Sequence, residues 1–156
     1  MRCHNRGGLS RLNRVNIRSK QVAAAILALT GLYVGIWAVG WPHQFYDSFP
    51  GLGRHWVLAL GPYNEHLVRD VGGLYLAMAV VTGWAVARRS ADVFAMVGVG
   101  WLVFNVLHFA YHVRHLGMYD AADKVGNVVS QVVVIVLAAA LLAPGRVSRE
   151  TRLRTG

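Results

Sequence analysis

The sequence predicts an all-α integral membrane protein, an up-down four-helix bundle with a short interfacial helix in the first outer loop. Apolar residues make up 55% of the 156 residues and charged residues 15%, against about a quarter charged in soluble proteins. The mean hydropathy is +0.41, and four long apolar runs are separated by polar connections. Together these observations argue against a free cytosolic enzyme.

The first predicted span covers residues 22–41, which carry no charge. A helix of about 20 residues reaches about 30 Å, the thickness of the hydrocarbon core. The apolar core of a cleaved signal peptide is shorter, about 7–15 residues. We therefore expect this segment to remain in the protein as a membrane helix. A basic tail, residues 1–20, precedes it.

Three further spans are predicted from apolar runs at residues 68–87, 93–112 and 125–143. Gly61-Pro62 precedes the second span and Pro144-Gly145 ends the fourth, because these dipeptides favour turns over helix. A second basic tail follows at residues 144–156. The sequence contains no internal repeat.

The distribution of positive charge predicts the orientation. Twelve of the 16 Lys and Arg residues lie in the two tails and in the connection that contains Arg88 and Arg89, and four lie in the other two connections. Cytoplasmic connections carry the excess of Lys and Arg. We therefore expect a multi-pass protein of the cell membrane with both termini in the cytoplasm. The net charge of +9 is then explained by the membrane orientation. No nucleic acid partner is expected, since the sequence has no nucleic-acid-binding motif beside this charge.

Small residues predict how the helices pack. Gly31 and Gly35 on the first span, and Gly73 and Ala77 on the second, are spaced four apart, so each pair lies on one helix face. Such pairs allow helix backbones to approach closely. We expect these faces to pack within one chain rather than to form a homodimer.

The outer loop, residues 42–64, is long and rich in aromatic residues. Its segment Phe49–Gly53 favours a turn, and His55–Leu60 is predicted to form the short interfacial helix. Aromatic rings are common at the membrane surface. The loop is therefore interpreted as an interfacial anchor, with a lid over a polar pocket as the alternative.

A polar stripe runs along the predicted third span. At 100° per residue its members fall within an arc of about 60°: Asn105, His108, His112 and His115. Imidazoles at positions i and i+4 can share a metal ion, and His115 adds a third donor. Three interpretations stay open: a hydrogen-bonded structural cluster, a metal or haem ligand set, and a contact surface for a substrate or lipid.

The second and fourth spans carry polar residues near the same predicted outer end. Asn64 is predicted to cap the second span, and His66 and Asp70 are spaced to form a carboxylate–imidazole pair. Arg69 is expected to pair with Asp70, because ionisable groups in the membrane need partners. We predict that the three stripes converge in one outward-facing pocket, formed by His66, Arg69, Asp70, Asn105, His108, His112, His115, Asn127 and Gln131.

Two segments carry a resemblance to known proteins: Phe45–Gly51, and Tyr63–Gly73 with its core NEHLVRDVGG. Here the sequence resembles an uncharacterised actinobacterial family of small four-span membrane proteins. Its topology is more loosely similar to the DoxX-like membrane proteins. The resemblance covers most of residues 22–143 in pattern and implies a fold and a membrane location. DoxX-like proteins are associated with redox and thiol homeostasis, but the single cysteine, Cys3, provides no thiol pair.

Binding is the function that these features favour. We expect the pocket to bind a lipid-like or quinone-like ligand, with membrane lipid and a membrane protein as partners. One alternative is a haem or divalent-metal protein that uses His66, His108, His112 and His115. Another is a small membrane enzyme of the isomerase or hydrolase kind, in which His112 carries a proton and Asp70 or Asp123 orients it. The sequence has no GxSxG, HExxH or P-loop motif to indicate another chemistry.

Overall fold

A computed structural model describes residues 6–143, with side chains from residue 17 onward. Within this range the chain is helical and contains no strand, which confirms the all-α class. Single 3-10 turns occur at Leu58–Leu60 and Leu116–Met118. The five α-helices are α1 (Arg6–Gly40), α2 (Pro42–Ser48), α3 (Glu65–Arg88), α4 (Ala91–Arg114) and α5 (Ala121–Leu142).

Four of these helices are long and apolar enough to cross a membrane. They are Ile17–Gly40 within α1 and the whole of α3, α4 and α5, each 22 to 24 residues long. This finding indicates a multi-pass membrane protein with four antiparallel spans. We call the end formed by residues 41–64 and 115–120 the loop end, and the end formed by Arg89, Ser90 and Leu142 the tail end.

The predicted spans fall on these four helices, and the predicted tails stay a prediction. Residues 6–20 of the first tail are helical and continue into the span without a break. Helix α1 therefore begins before the predicted span, within the basic segment. Residues 1–5 and 144–156, including Pro144-Gly145, lie outside the described residues.

The short loop helix forms at a different place from the one predicted. It occupies Pro42–Ser48, where Pro42 stands at the first helical turn, a position that suits proline. The predicted segment His55–Leu60 contains only the 3-10 turn. Before it, the chain turns through Gly51 and Gly53, whose φ angles of 90° and 72° suit glycine.

Helix α1 packs closely against α3 at glycine residues. A Cβ atom on Gly35 would lie 2.7 Å from Leu76 Cγ, and one on Gly31 would lie 3.0 Å from the Tyr75 carbonyl oxygen. The predicted packing of the α1 glycines within the chain is therefore confirmed. On α3 the prediction is wrong by one residue. A Cβ on Gly73 would meet nothing within 4 Å and Ala77 is exposed, because the face toward α1 is formed by Gly72, Tyr75 and Ala79.

Helices α4 and α5 form the second close pair. A Cβ atom on Gly98 would lie 2.8 Å from the Ala138 carbonyl oxygen and 2.9 Å from Leu141 Cβ. Phe94 and Trp101, one turn to either side of Gly98, are buried. The contact at Gly98 fixes the register of the two antiparallel helices.

At the tail end, α1 binds the last turns of its two neighbours. Lys20 is 5% exposed, and its Nζ donates to the Leu141 carbonyl oxygen at 2.8 Å. Gln21 Nε2 donates to the Val86 carbonyl oxygen at 3.2 Å. The last carbonyls of a helix lack intrahelical partners, and a positive charge there is favourable. Lys20 thus stabilises the bundle in addition to its contribution to the charge pattern.

Gly72→Ala is expected to destabilise the bundle by about 1–3 kcal/mol, the usual cost of overpacking. Its methyl group would stand 2.8 Å from Ala38 Cβ and 3.0 Å from Val39 N. Gly73→Ala is the matched control, since that position is open. Thermal unfolding in detergent compares the two variants, and equal loss of stability in both would contradict the contact face described here.

Candidate functional site

The polar stripe of α4 faces the interior of the bundle, as its periodicity predicts. Asn105 and His112 are buried, and His108 and His115 are partly buried. Asn105 Nδ2 donates to the Trp101 carbonyl oxygen at 2.8 Å, one turn earlier on the same helix. The stripe therefore places one amide and one imidazole fully inside the bundle.

Helix α5 contributes two buried amides. Asn127 is 1% exposed and Gln131 is 9% exposed. Gln131 Nε2 donates to Asn127 Oδ1 at 2.6 Å, as the i, i+4 spacing allows. The two side chains form one hydrogen-bonded unit on the inner face of α5.

One buried polar residue of α4, His112, lies at the same height in the bundle as Asn127 of α5. His112 follows Gly98 by 14 residues on α4, and Asn127 precedes Leu141 by 14 residues on the antiparallel helix α5. Gly98 packs directly on Leu141, and both helices rise about 1.5 Å per residue. Equal steps from that contact bring His112 level with Asn127. We call Asn105, His108, His112, Asn127 and Gln131 the polar cluster.

Two atoms of the polar cluster are buried without a hydrogen-bond partner among the described residues. They are His112 Nδ1 and Gln131 Oε1. A buried donor or acceptor left unpaired costs about 1–3 kcal/mol, and such atoms are rare in native proteins. One lies on each of the two helices that pack at Gly98. By the same count Gln131 is level with His108, about one helical turn nearer the tail end than His112.

The polar stripe of α3 does not join the cluster, which corrects the predicted three-stripe pocket. The side chains of His66, Arg69 and Asp70 are 88%, 46% and 60% exposed. The inner face of α3 is occupied instead by Val68, Gly72 and Tyr75. The structure therefore divides the predicted pocket residues into a buried set and a surface set.

The α3 residues pair with one another at the surface. His66 Nε2 lies 3.2 Å from Asp70 Oδ2, so the predicted carboxylate–imidazole pair is present. Arg69 Nε lies 2.8 Å from Glu65 Oε1, and its Nη1 donates to the Val39 carbonyl oxygen. The predicted Arg69–Asp70 pair is absent from the ion pairs of the described chain, because adjacent residues on a helix point about 100° apart. Asn64 caps α3 as predicted, since its Oδ1 accepts from the Leu67 amide at 3.1 Å.

His115 serves the end of α4. Its Nδ1 donates to the Tyr111 carbonyl oxygen at 2.7 Å, and its ring stacks on the Tyr111 ring at 4.1 Å. These contacts satisfy one of the last carbonyls of the helix. His115 thus lies at the edge of the polar cluster and is engaged in local structure.

Aromatic rings continue from the polar cluster toward the tail end. The His112 and His108 ring centroids are 4.5 Å apart, and His108 stacks on Phe104 at 5.5 Å. Tyr75 of α3 joins Phe104 at 5.2 Å and Trp101 at 6.1 Å. We call these five rings the aromatic row. It connects the polar cluster with the α3–α4 interface.

A clamp between the outer loop and α5 could not be predicted from local sequence patterns. Asp123 Oδ1 accepts from Trp56 Nε1 at 2.8 Å and from Arg54 Nη1 at 3.1 Å. Tyr119 Oη donates to the Trp56 carbonyl oxygen at 2.8 Å. The Trp56 ring also packs on Gly126, the residue before Asn127. The loop is therefore fixed against α5 beside Asn127, a contact that fits both the interpretation as an anchor and the alternative of a lid.

The clamp also affects Tyr119. Burial, with smaller contributions from Tyr111 and Asp123, raises the pKa of the Tyr119 phenol to about 12. The phenol therefore stays protonated at neutral pH and keeps its hydrogen bond to the loop.

The histidines do not assemble a metal site within the described residues. No group of three or more His, Cys, Asp or Glu side chains there could hold a metal ion. His66, proposed as the ligand across the bundle, lies at the surface beside Asp70. No ion pair joins His112 to a carboxylate in this part of the chain, and Asp70 is engaged by His66. The arrangement is suited to hydrogen bonding with a neutral polar group.

Comparisons with protein-family models, curated proteins and solved structures give no match to this chain. The resemblance to DoxX-like and actinobacterial four-span proteins therefore stays a prediction.

Asp123→Ala is expected to release the loop, because it removes the acceptor shared by Arg54 and Trp56. Amide hydrogen exchange in residues 51–60, measured by mass spectrometry in detergent, should increase several-fold. Trp56→Phe, which loses only the indole N–H donor, should give a smaller increase. Asp92→Ala, at the opposite end of the bundle, is the control. Unchanged protection in Asp123→Ala would show that the clamp does not hold the loop.

Proposed function

We propose that this chain is a multi-pass protein of the cell membrane, with both termini in the cytoplasm and the loop end outside. The support is the distribution of Lys and Arg in the sequence, with twelve in the terminal segments and the Arg88-Arg89 connection against four in the other two connections. In this orientation the polar cluster opens toward the outer half of the membrane.

We further propose that the polar cluster binds a lipid-like or quinone-like molecule through an oxygen-bearing head group. The observation that carries this proposal is the pair of unpartnered buried atoms, His112 Nδ1 and Gln131 Oε1. A hydroxyl group can donate to Gln131 Oε1 and accept from a protonated Nδ1, so it can satisfy both. A carbonyl oxygen can accept from Nδ1–H.

The surroundings of these atoms support a neutral ligand. The other members of the polar cluster are amides and an imidazole, and the carboxylate of Asp123 is occupied by Arg54 and Trp56. The loop that Asp123 fixes packs beside Asn127, so it would cover a bound head group from the aqueous side. A membrane lipid or a quinone can enter between the helices from the membrane.

The orientation is tested by labelling cysteines in intact cells. In a Cys3→Ala background, Ser48→Cys at the loop end is expected to react with a membrane-impermeant maleimide. Ser90→Cys at the tail end should react only after the cells are lysed. The opposite pattern would contradict the proposed orientation.

The ligand is tested by gentle purification from native membranes, followed by native mass spectrometry and extraction. The wild-type protein is expected to carry a stoichiometric small molecule, and His112→Phe and Gln131→Leu to lose at least tenfold of its occupancy, since each removes one hydrogen-bonding partner. His66→Phe, at the surface, is the control and should retain it.

Other outcomes separate the alternatives. A Soret band or bound metal in the same sample would favour the haem or metal alternative. A co-purifying protein would favour a membrane partner. Folded wild-type protein without any bound molecule, or occupancy that is equal in all variants, would contradict the proposed function.

A further inference from the structure

Two arginines and a tryptophan are exposed at the tail end of α3. Trp84, Arg88 and Arg89 all face the outside of the bundle, and the Arg88 guanidinium carbon lies 5.4 Å from the centre of the Trp84 ring. This cation–π contact holds the guanidinium beside the indole. Trp84 lies four residues, about 6 Å, before the end of α3, and tryptophan is enriched at this depth of membrane proteins. The pair therefore lies at the level of the lipid head groups.

The positive charge of this group has no counter-charge among the described residues. Neither Arg88 nor Arg89 forms an ion pair in this part of the chain, and Trp84 Nε1 makes no hydrogen bond there. Asp92 is the only acidic residue at this end of the described chain, and it is not within ion-pair distance of either arginine. The guanidinium groups and the indole N–H are therefore free to bind an anion.

An apolar groove between α3 and α4 begins next to the pair and runs toward the membrane midplane. Ala77, Val81, Trp84 and Arg88 are spaced four, three and four residues apart, so they share one face of α3. Ala77 and Val81 line the groove together with Gly100 of α4, and its volume is about 230 Å³. All three are exposed, so the groove is open to lipid.

The lining of the groove suits a hydrocarbon chain. Its two hydrogen-bonding side chains satisfy each other, since Trp101 Nε1 donates to Thr82 Oγ1 at 2.9 Å. Thr82 Oγ1 in turn donates to the Met78 carbonyl oxygen at 2.6 Å. The remaining lining is apolar. The face of α3 thus joins a cationic group at the membrane surface to an apolar groove below it.

The length of this face matches one leaflet of a bilayer. Arg88 and Ala77 are 11 residues apart, about 16 Å along α3. The hydrocarbon core is about 30 Å thick, so one leaflet provides about 15 Å. A phospholipid chain whose phosphate lies at Arg88 would therefore end near Ala77, at the far edge of the groove, without crossing the midplane.

We propose that this end of α3 binds an anionic phospholipid, with its phosphate at Arg88 and Trp84 and one acyl chain in the α3–α4 groove. A guanidinium group presents its N–H donors in a planar fork that matches phosphate oxygens. Arg89 adds a second positive charge, which favours a lipid of net negative charge over a zwitterionic one. The site is separate from the polar cluster and does not depend on the ligand proposed there.

The test measures binding to the delipidated full-length protein in detergent by native mass spectrometry. The probes are phosphatidylglycerol, phosphatidylcholine with the same acyl chains, and inorganic phosphate. The wild-type protein should bind phosphatidylglycerol at least fivefold more tightly than phosphatidylcholine, and inorganic phosphate more weakly than either lipid. Equal affinity for the two lipids would overturn the proposal. Inorganic phosphate that binds as tightly as phosphatidylglycerol would assign the arginines to a free anion and would overturn it too.

The head-group contact is tested by Arg88→Gln, which should weaken phosphatidylglycerol binding about fivefold, the usual effect of one basic residue at an anionic surface. Arg18→Gln is the matched control, since Arg18 is an exposed arginine at the same end of the bundle but belongs to α1. Equal losses in the two variants would show a diffuse attraction by charge and contradict a site at Arg88. His112→Phe should bind phosphatidylglycerol as the wild type does, which separates this site from the polar cluster.

The position of the acyl chain is tested by Gly100→Leu, which fills the groove without a core clash, because a Cβ there meets nothing within 4 Å. It should weaken the binding of both lipids several-fold and keep the preference for phosphatidylglycerol. Gly83→Leu is the control, since Gly83 is equally open but lies outside the groove lining. Unchanged lipid binding in Gly100→Leu would overturn the placement of the chain. A dimer of the delipidated protein that Gly100→Leu dissociates would assign the groove to a second copy of the chain instead.

Discussion

The close approach of helix backbones at glycine is the constraint on which the rest of the structure depends. At Gly35 and Gly72 the first and third helices come so near that a single methyl group would collide with the neighbouring helix, and Gly98 produces the same closeness between α4 and α5. In a membrane, helices associate through such packing because lipid removes the hydrophobic driving force between them. These contacts also determine the positions of distant residues along the axis of the bundle.

The candidate site depends on the position of polar residues of α4 and α5 along the bundle axis. Gly98 holds α4 against Leu141, and from that contact the helical rise carries His112 and Asn127 to the same level. Polar side chains inside a membrane bundle usually pair with each other or serve a function. Asn105 and Asn127 are paired, since each makes a hydrogen bond within its own helix. His112 Nδ1 and Gln131 Oε1 have no hydrogen-bond partner among the described residues. These unpaired atoms distinguish the candidate site from ordinary interhelical hydrogen bonding.

Local patterns in the sequence predicted the four spans, the inward stripe of α4 and the cap at Asn64, since each depends on residues within one helix. The contact face of α3 was displaced by one residue, from Gly72 to Gly73, because one step on a helix rotates a side chain by about 100°. His66, Arg69 and Asp70 were placed in the pocket because polar stripes were expected to converge, whereas the structure leaves them at the surface. The clamp of Arg54 and Trp56 on Asp123 joins residues almost 70 positions apart, so no local periodicity could reveal it.

A cryo-electron microscopy map of the protein extracted with its native lipids is the most direct test. The central claim is that His112 and Gln131 share one bound polar group inside the membrane. The account predicts density for an elongated molecule, with an oxygen within about 3 Å of both His112 Nδ1 and Gln131 Oε1, a normal hydrogen-bond distance. An isolated water at that position, or direct hydrogen bonds from both atoms to other protein groups, would contradict it.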